Sequence, residues 1–80
     1  MSLDDLIEYV TKKRIEISEI VLVLRDHLGS TTHPAARARL REALVVAEDI
    51  ASQKRGSTDA EWDQLLQDIA VANWTIKSGA

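Results

Sequence analysis

The stretch that most restricts how this chain folds runs over residues 3–28. Leu3, Ile7, Val10, Ile17, Val21, Leu24 and Leu28 recur at the three-to-four residue spacing of one helix face. Neither proline nor glycine interrupts them, and over residues 20–24 the helix turns apolar on every side. A helix with no polar face has to be covered all round. An 80-residue chain buries only about 60% of the surface that its unfolded form exposes. Part of that helix is therefore expected to meet another chain.

The rest of the chain punctuates itself clearly. Ser2 and Asp5 suit a helix start, and Asp4, Asp5 and Glu8 suit its positive end. Gly29 is expected to stop the first helix in a left-handed turn. Pro34 then opens a second helix, since its missing N–H has no partner at that position anyway. Its stripe is Leu40, Ala43, Leu44, Ala47, Ile50 and Ala51, ending before Gly56. Thr58 and Glu61 form a capping box for a third helix with Trp62, Leu65, Leu66, Ile69, Asn73 and Ile76 inward. The reading is one all-α domain over residues 1–80: a three-helix up-down-up bundle, with helices at 3–28, 34–55 and 59–77 and a frayed tail at 78–80, paired into a helical homodimer. At 1.5 Å per residue the first helix reaches roughly 39 Å against roughly 29 Å for the third, and overhangs it.

Composition narrows the function classes. There is no cysteine, so neither a disulfide nor a thiolate metal site supports the fold, and the two histidines show no ligand spacing. No cofactor or metal is expected. A formal charge of −3 speaks against generic nucleic-acid binding, which depends on neutralising phosphates. The longest apolar runs, residues 20–24 and 43–47, fall far short of the roughly 20 residues that a membrane span requires. With no basic-then-apolar leader at the start, the expectation is a soluble, cytoplasmic protein.

The candidate sites are of two kinds. Leu22 and Val23 flank the first stripe, Val45 lies off the second, and Val71 and Trp74 lie far from the third. A tryptophan among such residues marks an interface anchor, so Leu22, Val23, Val71 and Trp74 are the expected partner interface, for a second copy or another protein. In an up-down-up bundle Arg25, His27, His33, Arg37, Arg39 and Arg41 gather at one end, while Asp4, Asp5, Glu8, Asp59, Glu61 and Asp63 gather at the other. Arg25, Arg37 and Arg41 are then candidates for holding an anion or an acidic partner. Lys13 and Arg14 interrupt the first stripe, either sending their charges outward along packed stems or forming a buried ionic layer with Asp68 or Glu48.

The leading function is a non-catalytic interaction module that self-associates: an adaptor, assembly factor or regulatory subunit. An acidic inhibitor or immunity-type protein, using the carboxylate-rich end against a basic site, is the alternative. A third reading rests on Arg14, Arg25, Arg41 and Glu42. Placed on the first two helices, they resemble the dicarboxylate-binding residues of the small all-helical chorismate mutases, which implies a dimeric enzyme acting on a carboxylate metabolite. The first helix is shorter than in that family, the linker carries no lysine, and no stretch matches the family's sequence pattern.

Overall fold

The computed structural model describes residues 1–53 and 59–78. The described residues form four helices: α1 (Leu3–Thr11), α2 (Ile17–Ser30), α3 (Pro34–Ser52) and α4 (Asp59–Lys77). The all-helical class is as expected, but the first predicted helix is two helices. They part at residues 12–16, where Lys13 takes a positive φ of 54°. Its N–H donates to the Val10 carbonyl at 3.1 Å, and the Arg14 N–H donates to the Tyr9 carbonyl at 2.9 Å. This pair of bonds closes a helix whose following residue is left-handed.

A lysine in that conformation costs roughly 1–2 kcal/mol. Folding back offsets it. A straight helix over residues 3–28 leaves its overhanging end uncovered, whereas the reversal lets Leu3, Leu6 and Val10 enter the core, each worth roughly 1.5–3 kcal/mol when fully buried.

The reversal turns three predicted rods into an up-down-up-down bundle, 39 × 20 × 20 Å in extent. α3 packs on α4, α2 on α3 and α1 on α4. The polar contacts fix the directions. Asp4 meets Lys77 at one end of the α1–α4 pair, and Lys13 meets Asp59 at the other. Arg25 of α2 pairs with Glu48 of α3, while Gln53 just after α3 donates to Glu61 early in α4. The core is Leu3, Leu6, Val10, Ile20, Leu24, Leu40, Ala43, Ala47, Ile50, Leu65, Ile69 and Ala72. Ile7, Ile17, Val21 and Leu28 pack partly buried against it.

Several local expectations need correcting. Gly29 is helical, not a left-handed stop: α2 runs on to Ser30, and Thr31 ends it with an extended backbone, φ −88° and ψ 128°. The second predicted helix ends at Ser52, and Ala51 is exposed. Ile76, expected inside, is exposed. The Gly56 stop, the Thr58 cap and the last two tail residues lie outside the described residues. Ser78 is a turn residue whose N–H bonds to the Trp74 carbonyl at 2.9 Å.

Candidate interaction surface

The four residues expected at a partner interface fall into two pairs. Leu22 is 64% exposed and Trp74 70% exposed, whereas Val23 and Val71 are half-buried, Val23 against the core. Trp74 points away from the bundle because it stands nine residues after buried Leu65, about 180° round the helix. Leu22 borders the groove between α2 and α3, with Ser18, Val21, Arg25, Glu48, Ala51 and Ser52. Small side chains make this groove: Ser18, Ala51 and Ser52 leave the helix backbones thinly covered.

α3 lies between the helices that carry these two residues, since α2 and α4 each pack on it. Leu22 and Trp74 therefore belong to separate surfaces rather than one patch. Val45, 54% exposed, extends the apolar character onto α3, in a second groove lined by Arg41, Glu42, Val46, Gln64 and Asp68.

The three arginines expected to act together have different surroundings. Arg25 is taken by Glu48, Nη2 to Oε1 at 2.8 Å. Arg37 donates from Nη1 to the Leu28 carbonyl at 2.7 Å and to the Thr31 carbonyl at 2.9 Å, closing the end of α2 where Gly29 does not. Arg41 is exposed and forms no ion pair among the described residues. Three arginines so disposed do not converge on one anion.

The separation of charge between the two ends also changes. Because α1 reverses, Asp4 lies beside the end of α4, where it accepts from Lys77 Nζ at 2.8 Å and Asn73 Nδ2 at 2.9 Å. These two hydrogen bonds, Lys77 first, hold its carboxyl below the usual range. Met1 and His27 join the same end, the Met1 carbonyl accepting from His27 Nε2 at 2.7 Å. Glu8 is paired with Lys12 at 2.8 Å and raises that amine's pKa, by hydrogen bond first and by charge second. Of the six carboxylates expected to form an acidic face, Asp4, Glu8 and Asp59 are thus matched by Lys77, Lys12 and Lys13.

Lys13 and Arg14 form no buried layer. Both are exposed in the reversal, with Lys13 Nζ 3.6 Å from Asp59. The buried carboxylate is Asp68, 1% exposed, partnered by Gln64 Nε2 at 3.1 Å and Arg39 Nη1 at 3.6 Å. The sequence raises Asp68 as a buried carboxylate opposite Lys13 or Arg14; the cation it meets in the fold is Arg39, which spacing on α3 alone does not single out. His33 is a capping residue: Nδ1 accepts from the Ala36 N–H at 3.4 Å.

Among the described residues, no group of three or more His, Asp or Glu side chains is placed to hold a metal, and no helix is long and apolar enough to cross a membrane. Comparison with protein-family models, characterised proteins and solved structures finds no match.

Proposed function

We propose that this protein is a small non-catalytic interaction module of the cytoplasm that self-associates as a homodimer and serves as an adaptor, assembly factor or regulatory subunit. One observation carries the reading: Trp74, the chain's largest apolar side chain type, stands 70% exposed on a fully formed helix. A tryptophan left mostly in water adds little to this fold, yet it is among the residue types that dominate interface energies. Half-buried Val71, one turn earlier, borders it, and Leu22 offers a second apolar contact across α3.

The charge pattern supports an interaction driven by apolar contact over one driven by charge. An inhibitor of a basic site needs uncommitted carboxylates, and three of the six candidates already have lysine partners within 4 Å. Within one chain Arg14 lies in the reversal, Arg25 on the α2/α3 groove and Arg41 with Glu42 on the α3/α4 groove, an arrangement that lends the carboxylate-metabolite reading no support.

A Trp62→Phe background leaves Trp74 as the sole tryptophan and tests the proposal. Its emission is expected to move to shorter wavelength as protein concentration rises, because pairing removes the indole from water. A spectrum that stays at the solvent-exposed position over the whole concentration range contradicts the proposal.

A further inference from the structure

Leu3, Leu6 and Val10 on α1 and Ile20 and Leu24 on α2 are all buried, although the chain reverses between them. Wound as one uninterrupted helix, these five side chains fall within an arc of about 100°. The reversal itself contains no glycine or proline and turns on a lysine at positive φ. Opening it to a continuous helix therefore keeps one apolar stripe, adds helical residues and removes the left-handed lysine. What α1 loses by opening is the cover of its own α4.

We infer that a second copy of this chain supplies that cover: two chains open at residues 12–16 and exchange α1, each α1 docking on the other chain's α4. The slot and its occupant are already matched in the closed chain. Leu3, Leu6 and Val10 fill it, and Asp4 meets Lys77 and Asn73 at its rim, so an exchanged α1 regains every contact that it makes in the closed chain. A hinge held in an unfavourable backbone conformation is the local feature that favours such exchange. The inference rests on the self-association reading, in which Trp74 and Leu22 meet the second copy, and adds an exchange of α1 that reinforces that contact.

Two hinge variants and one cross-link test it. Lys13→Gly relieves the closed hinge in both chains and is expected to weaken dimerisation on the order of thirtyfold. Lys13→Val, β-branched and poorly suited to positive φ, is expected to strengthen it. Because the chain has no cysteine, a chain carrying Asp4→Cys can be mixed at high concentration with one carrying Lys77→Cys and treated with a short bismaleimide. Exchange predicts a covalent heterodimer in the dimer fraction. A dimer in which a chain carrying both cysteines cross-links only within itself overturns the exchange and leaves self-association standing. A native chain and a Lys13→Val chain that both remain monomeric at every concentration overturn both.

Discussion

Lys77 Nζ lies 2.7 Å from one carboxylate oxygen of Asp4 and 2.8 Å from the other, joining residues 73 positions apart and tying the start of α1 to the end of α4. Both groups are on the surface, so the pair acts mainly through pH. The Asp4 pKa is lowered on folding, by the Lys77 hydrogen bond first and the Asn73 hydrogen bond second. Its stabilising contribution is complete above the unfolded-state value and vanishes as pH falls through the lower folded-state value. Thermal melts are expected to show the native chain losing stability below about pH 4, and Lys77→Met losing less over the same window. Equal acid sensitivity in the two proteins counts against this pairing in solution.

Glycine at position 29 is helical and an added Cβ there meets nothing within 4 Å. Gly29→Ala is therefore expected to raise stability by about 0.5–1 kcal/mol in chemical denaturation, the usual difference in helix propensity. A left-handed stop predicts the opposite sign.

Leu6 is fully buried, whereas Ile76 is 39% exposed. Leu6→Ala is expected to cost about 2–5 kcal/mol, and Ile76→Ala clearly less. A single straight helix over residues 3–28 instead leaves Leu6 on its uncovered, overhanging end and Ile76 within the stripe of the last helix, which reverses this order. Urea denaturation of the two variants distinguishes the architectures.

What the sequence could disclose follows from this contrast. Helix class, the Pro34 start and the α3 and α4 cores are written in spacing and capping, which act locally. The break at Lys13 is not. Val10 and Ile17 are seven residues apart, so the stripe passes through the reversal almost in phase, and the only trace is the polar run from Thr11 to Arg14. Length decides the matter, since a helix longer than its partners folds back to bury Leu3, Leu6 and Val10. The site was legible only in part: exposure of Leu22 and Trp74 followed from the helical wheel, but their separation by α3 depends on a fourth helix. The same reversal moved Asp4 to the opposite end and undid the expected charge separation.

Asp68 and Arg39 give an asymmetric prediction. Arg39→Ala leaves a buried carboxylate with only Gln64 and is expected to destabilise by about 1–3 kcal/mol. Asp68→Leu leaves Arg39 half-exposed to water, which solvates it, and is expected to be close to neutral or stabilising. Comparable losses in both variants, measured by urea denaturation, contradict this assignment.

Sedimentation equilibrium from low to high concentration, on the native chain and on a Leu22→Glu/Trp74→Ala variant, tests the proposed self-association most directly. The native mass is expected to rise from 8.9 kDa toward twice that value, and the variant to stay at the monomer mass over the same range. A native chain that remains at 8.9 kDa throughout, or a variant that associates as strongly as the native chain, contradicts the account.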